Sequence, residues 1–343
     1  MDDARTTCYT STMEIHALAS LSKNKSLVPY SYNKEITSED VLIKVKYRTL
    51  SNSDVLFIDD YWGNTAFPVV PSEDVIGEVI KKGNAVKNLH VGDFVGIGYE
   101  VYSCGRCEYC KKGLEQFCQK QRNLRIHEQG GLSDYMIVHH DFAFPIPQEL
   151  QRPEATPLFC AGLTVYSAIV NNAISKRMKV GVIGIGRLGH LALKFLKSMG
   201  CETIAFTSDL TKQNDLKTKG FEVIDLKEEL EKFNNSFDCI LYTSTIDLNW
   251  DDYLKLLKPT GKLCIVGFPQ NQISFSAGLL NDYSRRQIVG NFIGSRDDMK
   301  MMIAYAAKNN ILADVDTFSF NESNKVLGMV KDGGIPYIAV IKS

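Results

Sequence analysis

Four cysteines crowd into fifteen residues: Cys104-x-x-Cys107-x-x-Cys110, then seven residues, then Cys118. Thiolates so closely spaced can wrap one tetrahedral Zn²⁺ with bonds of ~2.3 Å. Four sulfurs saturate the ion and leave no open position for a reactant, so this site reads as structural. An iron–sulfur cluster and a set of free thiols are the alternative readings of the same residues. The chain has nine cysteines, at 8, 104, 107, 110, 118, 160, 201, 239 and 264. An odd number with this clustering suits a metal site in a reducing compartment better than a disulfide framework.

A second constellation is Gly184-Ile185-Gly186-Arg187-Leu188-Gly189. It follows a predicted strand, KVGVIG (179–184), and opens a predicted helix. Gly184 permits the tight turn, Gly186 lets the backbone approach a pyrophosphate, and Gly189 lets the helix pack on the strand. The pyrophosphate of a dinucleotide would then lie against the free N–H groups of the helix start, at Arg187 and Leu188. The alternative is a purely structural glycine turn. The end of the next strand, about 20 residues on, sets the choice of cofactor. There Thr207 and Ser208 offer hydroxyl donors and Lys212 a cation, a combination that suits the 2′-phosphate of NADP(H). Asp209 is the dissenting residue, since a carboxylate turned inward favours NAD.

These two groups must be held by different kinds of scaffold. The first ~150 residues read as short strands with turns between them. They are IHALAS (15–20), DVLIKVKY (40–47), VIGEVI (75–80), FVGIG (94–98) and LSDYMIV (132–138), with turn signals at Gly83-Asn84 and Val91-Gly92-Asp93. From about residue 156 strands alternate with helices, which implies parallel βαβ units. CAGLTVYSAIV (160–170) is the first predicted helix. Strands are predicted at 179–184, 203–207, 221–225, 237–242, 262–267 and 288–294. Helices are predicted at 190–199, 210–219, 226–233, 250–257 and 297–310. The chain closes on a strand, a short helix and the strand YIAVIK (337–342). The fold class is therefore α/β, with a doubly wound parallel sheet beside a β-rich domain.

Composition sets outer limits. With 343 residues, two domains are expected and a sizeable core needs no disulfides. The balance of 39 Lys+Arg against 40 Asp+Glu gives a net charge of -1, without the basic excess of a general nucleic-acid binder. No apolar run approaches the ~20 residues of a membrane span. The start, MDDARTTCYTSTM, lacks an apolar signal core and reads as a short disordered arm, so a cytoplasmic location is expected.

Both motifs, in this order, resemble the zinc-containing medium-chain dehydrogenase/reductase superfamily, and within it the cinnamyl-alcohol-dehydrogenase-like branch. FPVVPSEDVIGEV (67–79) resembles the family's YPxVPGHExVGxV, and CGRCEYCKKGLEQFC (104–118) its structural zinc lobe. GGLSDYMIV (130–138), PLFCAGLTVYSAI (157–169) and FIGS (292–295) match further segments. The resemblance spans nearly the whole chain. It implies a GroES-like β-barrel catalytic domain over 1–155, a Rossmann NADP(H)-binding domain over 156–294 and a return to the catalytic domain over 295–343. It also implies a homodimer, reversible alcohol–aldehyde interconversion, and a cofactor-binding place for Thr164.

The catalytic metal site departs from the family pattern. The segment Tyr47-Arg48-Thr49-Leu50-Ser51-Asn52-Ser53-Asp54 stands where the family has YCGxCHSD, so Ser51 replaces the ligand cysteine and Asn52 its neighbouring histidine. In place of Gly-His-Glu the chain has Ser72-Glu73-Asp74. Cys160 alone matches a catalytic zinc ligand, and none of the six histidines falls at a ligand position. A neutral serine hydroxyl is a weak zinc ligand.

Ser53 matches the family's proton-relay position, with a helix N-cap as the competing role. Glu73 and Asp74 read as acid/base groups, as attractors of a cationic substrate, or as acids paired with Arg48. Tyr61 and Trp62 read as a substrate wall or as core. Without a Lewis acid the favoured substrate is a small activated one: a conjugated C=C, a quinone or an iminium. The expected function is an NADP(H)-dependent oxidoreductase with one structural zinc and no catalytic one. Two other readings stay open: a zinc alcohol dehydrogenase with a rebuilt site of Cys160, Glu73 and Asp74, and a degenerate NADPH-binding protein.

Overall fold

The segment DVLIKVKYRTL supplies β-branched and apolar residues at a spacing that fits a pleated strand, and it forms the strand Asp40–Leu50. In the computed structural model, which describes residues 11–226 and 229–343, this strand organises the first of two units. One edge pairs antiparallel with Val75–Lys82. The other edge is long enough for two partners, Tyr135–His139 against its first half and Ile338–Lys342 against its second. The sheet continues through Phe94–Ile97 to Phe144–Pro145 on one side, and to Val315–Ser319 on the other. Val41, Ile43, Val45, Val75, Val79, Val95, Ile97 and Val138 fill the core of this GroES-like domain.

The first unit takes the chain up to Cys160 together with Ser295–Ser343, and the second is Ala161–Gly294. In the second unit six parallel strands lie in the spatial order Glu222–Ile224, Glu202–Phe206, Lys179–Ile183, Phe237–Tyr242, Leu257–Ile265, Gln287–Gly290. The chain leaves Lys179–Ile183 in one direction and returns to its other side, which makes that strand's carboxyl end the switch point of a Rossmann sheet. After Lys179 its residues are apolar or glycine and fully buried, as expected of a parallel strand with both faces covered.

Several expectations shift. The reading of residues 1–13 as a disordered arm does not hold at its end: Ser11–Ala19 is one strand, so residues 11–13 are ordered, while residues 1–10 lie outside the described residues. A strand without a sequence expectation, Val28–Ile36, pairs with it. The helix expected over 226–233 is a 3-10 turn, Leu230–Phe233, with residues 227 and 228 outside the description. The helix Asn52–Ile58 is capped by Ser51, not by Ser53.

Candidate functional site

The Ser51-x-x-Asp54 spacing closes the first turn of the helix Asn52–Ile58 on itself. The Ser51 backbone N–H donates to Asp54 Oδ2 at 2.9 Å, and the Ser51 hydroxyl donates to the same oxygen at 3.2 Å. Asp54 Oδ1 accepts from the Ser72 backbone N–H at 2.7 Å and from Arg125 Nη1 at 2.9 Å. One buried carboxylate thus ties the helix start to the Ser72 turn and to a guanidinium from a distant loop.

Arg125 is the centre of this arrangement. Its side chain is 2% exposed. Nη1 donates to Ser53 Oγ at 3.0 Å as well as to Asp54, and Nη2 is ion-paired with Glu73 Oε2. Ser53 Oγ in turn donates to Glu73 Oε1 at 3.1 Å and lies 3.0 Å from Ser51 Oγ. The guanidinium carbon sits 4.3 Å from the Phe57 ring centroid, a desolvated cation–π contact. A tight turn aims the side chain inward: Arg125 has a left-handed backbone (φ 68), its N–H bonds Glu128 O, and the Leu124 N–H bonds Tyr99 O. A non-glycine residue held in that region marks a position where surrounding contacts over-determine the backbone.

Arg48, weighed as the partner of the two acids, is not that partner. It is buried elsewhere, donating to Ser133 O and Ser343 Oγ beneath the Phe320 ring. Asp74 is turned away from Arg125's contacts, with Oδ2 accepting from Thr49 Oγ1 at 2.9 Å and Oδ1 from the Cys160 N–H. Among the described residues, two sets of three or more His, Cys, Asp and Glu gather their ligand atoms within 4.8 Å: the four lobe cysteines, and His139, His140 and Asp141. Glu73, Asp74 and Cys160 are not such a set. Asn52 is exposed on the first helical turn. Tyr61 and Trp62 are 58% and 44% exposed and stack edge-on at 5.7 Å, so neither is core.

Burial pushes the Tyr99 phenol up to about 12, with Glu73 and Cys160 pushing the same way and Arg125 and Asn123 pulling against them. Tyr99 therefore stays a neutral hydroxyl beside this cluster.

In the cysteine lobe, the strands Glu100–Tyr102 and Arg122–Asn123 pair at the base and close the loop between them. Cys107 and Cys110 sulfurs are 3.5 Å apart, and those of Cys104 and Cys110 3.9 Å. Backbone N–H groups of Cys104 and Lys120 point at Cys118 Sγ. Backbone N–H groups of Arg106 and Cys107 pull the Cys104 thiol down to about 6, toward the thiolate that a metal requires. Four converging sulfurs with N–H donors behind them fit a closed tetrahedral zinc site. Arg296 anchors the lobe, bonding Glu115 at 3.1 Å and Asp141 at 2.7 Å.

The glycine fingerprint has the expected form. Gly184 has φ 86, and a Cβ on Gly189 would lie 2.2 Å from Gly184 O. Gly186 caps the helix Arg187–Ser198 and faces open space, leaving room for a pyrophosphate against the helix start. Asp209 is turned to its own helix, Oδ1 accepting from the Thr211 and Lys212 N–H groups. Thr207 is buried, and its hydroxyl accepts from the Asp209 N–H, while Ser208 is exposed. Thr164 lies half-buried on the helix Ala161–Asn171.

Residues 37–148 match the family model of the alcohol dehydrogenase GroES-like domain, and residues 188–308 that of the zinc-binding dehydrogenases. The chain is 31% identical to an aldehyde reductase of Synechocystis over 95% of its length and 98% of the relative's. A cinnamyl alcohol dehydrogenase from Sorghum bicolor superimposes with a TM-score of 0.91 at 30% identity, covering 96% of this chain and 98% of that one. The chain belongs to the medium-chain dehydrogenase/reductases, in the cinnamyl-alcohol-dehydrogenase-like branch. A third relative, a cinnamyl alcohol dehydrogenase from Helicobacter pylori solved with NADP(H), gives a TM-score of 0.88 at 27% identity, over 97% and 99% of the two chains.

This dehydrogenase/reductase is an oxidoreductase of the alcohol/aldehyde type. Sequence motifs did not point to Arg125 or Tyr99. One signal was present: two adjacent acids in an apolar segment, lacking their family's metal ligands, call for a buried cation, and Arg125 supplies it.

Proposed function

We propose that this medium-chain dehydrogenase/reductase uses NADP(H) to reduce a small carbonyl or activated unsaturated compound, with one structural zinc at Cys104, Cys107, Cys110 and Cys118 and no catalytic zinc. The observation that carries the proposal is the ion pair of Arg125 with Glu73. Glu73 stands where the family's ligand histidine belongs, and a zinc there would have to displace a desolvated guanidinium that also bonds Asp54 and Ser53. Buried pairs of this kind are costly to break.

NADPH, when bound, supplies the hydride. Gly184, Gly186 and Gly189 make room for its pyrophosphate, with Arg187 and Leu188 at the helix start and Thr164 nearby. The exposed Ser208 and the half-buried Lys212 are the groups we assign to the 2′-phosphate. Asp209 caps its helix through Oδ1 and lies 3.9 Å from Lys212 Nζ through Oδ2, so its charge is offset by that lysine. Thr207 shapes the strand end from beneath. On the substrate side Ser53 is the hydrogen-bonding group, while Ser51, Asn52, Glu73 and Asp74 form its surroundings. None of the eight described cysteines is in a disulfide, in keeping with a reducing compartment, and we read the protein as a cytoplasmic homodimer.

The test is NADPH oxidation with a panel of enals, enones, quinones and cyclic iminium ions, before and after dialysis against a chelator mild enough to leave the cysteine lobe loaded. Turnover of an activated substrate that is insensitive to the chelator is expected. Activity on simple alcohols that vanishes on chelation and returns with zinc would overturn it.

A further inference from the structure

We propose that Arg125 is the positioning residue of the reaction, a fixed cation that stands in for the family's metal by acting through Ser53. The inference rests on the zinc-free reading above and extends it. Three members of the cluster, Arg125, Asp54 and Glu73, are almost fully buried, whereas Ser53 is half-buried. Ser53 is therefore where the buried charges meet accessible space.

The hydrogen-bond directions are forced. A guanidinium only donates, so Ser53 Oγ must accept from Arg125 Nη1. That leaves the one Ser53 hydroxyl hydrogen pointing elsewhere: to Glu73 Oε1, to Ser51 Oγ, or to an incoming substrate oxygen. A hydroxyl whose oxygen accepts from a cation is a better donor, because the bonds polarise one another. A guanidinium ion-paired with a carboxylate donates without giving up its proton, so Arg125 orients and polarises Ser53 as a fixed cation.

A purely structural role would account for the pairing with Glu73 and Asp54. It leaves unexplained why Nη1 also engages the half-buried Ser53 hydroxyl.

A C–H bond forms from hydride at the electrophilic carbon, and the π pair moves onto the carbonyl or enolate oxygen. That oxygen first takes a hydrogen bond, then the proton, from Ser53 Oγ. Ser53 recovers a proton from solvent, NADPH becomes NADP⁺, and the substrate is reduced by two electrons. The substrate class narrows accordingly, to compounds in which negative charge develops on oxygen: aldehydes, enals, enones and quinones. An iminium ion, which needs no proton at oxygen, gains nothing from this arrangement.

The experiment compares steady-state kinetics of the zinc-loaded enzyme with its Arg125→Ala variant on the best enal or enone. A kcat loss of about 10²–10³-fold is expected, the scale of one oxyanion donor, with KM within about threefold. Zinc content and NADPH affinity should not change. Millimolar methylguanidinium should restore kcat at least about tenfold by refilling the gap beside Glu73 and Asp54, a rescue that a fold-supporting role would not give. If Arg125→Ala does not fold, the paired variant Arg125→Gln with Glu73→Gln replaces the ion pair by neutral side chains of similar size, and the same kcat loss is expected. A folded variant lacking the guanidinium that keeps kcat within threefold, or loses only in KM, overturns the inference alone. A parent enzyme that oxidises no NADPH with any activated carbonyl defeats the functional reading, and the inference with it.

Discussion

Arg125 and Glu73 form an ion pair whose side chains are 2% and 6% exposed. Asp54 Oδ1 lies 2.9 Å from the same guanidinium. A cation delivered by the backbone turn at residues 124–128 thus neutralises two buried acids, Glu73 and Asp54.

Removing that cation should be expensive for the fold. Arg125→Met leaves the buried Glu73 and Asp54 carboxylates without this counter-charge. Loss of one partner of a buried pair costs about 3–5 kcal/mol. A fall in thermal midpoint is expected, and adding Glu73→Gln should recover part of it, because one stranded charge is then gone. Scanning calorimetry on the three proteins checks this. A double variant less stable than Arg125→Met would contradict the ion-pair account.

Glu100 gives the protein a pH signature. Burial, reinforced by Glu115, pushes its carboxyl up to about 8 from an ordinary 4.5. Neither Glu100 Oε1 nor Glu115 Oε2 has a hydrogen-bond partner. Between about pH 4.5 and 8 the folded state holds a proton that the unfolded state has released, so stability falls as pH rises through that window. Glu100→Gln removes the dependence. The variant should match the parent near pH 4.5 and exceed it at pH 8 by on the order of 2–4 kcal/mol. Urea unfolding at the two pH values reads the difference, and parallel curves at both would contradict it.

Cofactor preference should sit on Lys212. Its loss in Lys212→Ala is expected to weaken NADPH about tenfold, the scale of one charge-assisted contact, and NADH by less than about twofold. Nucleotide fluorescence titrations of both proteins measure this. Equal losses for the two cofactors would place Lys212 outside the 2′-phosphate site.

How far the sequence spoke depended on how local each signal was. The parallel sheet was legible because strands buried on both faces become largely apolar runs, as in FDCILY, where only Asp238 interrupts the strand Phe237–Tyr242. The Cys104–Cys118 lobe and the Gly184–Gly189 turn were legible because their chemistry fixes the spacing. Val28–Ile36 was not, since VPYSYNKEI alternates tyrosines with polar residues and buries only its last residue fully. Ser51, rather than Ser53, became the cap because Asp54 reaches back to the Ser51 N–H, a choice of one residue that spacing alone leaves open. Arg125 was invisible for a different reason: it lies in the polar stretch QRNLRIHEQGG, and its role exists only once a left-handed turn swings it onto a helix more than seventy residues away.

The central claim is that the chain keeps its cysteine-bound ion and has replaced the other with a guanidinium. Elemental zinc per chain, measured on protein purified without added metal, tests it most directly. One zinc per chain is expected, falling to near zero in Cys118→Ser and unchanged in Cys160→Ser. Two zincs per chain, with one lost on substituting Cys160, would contradict the account.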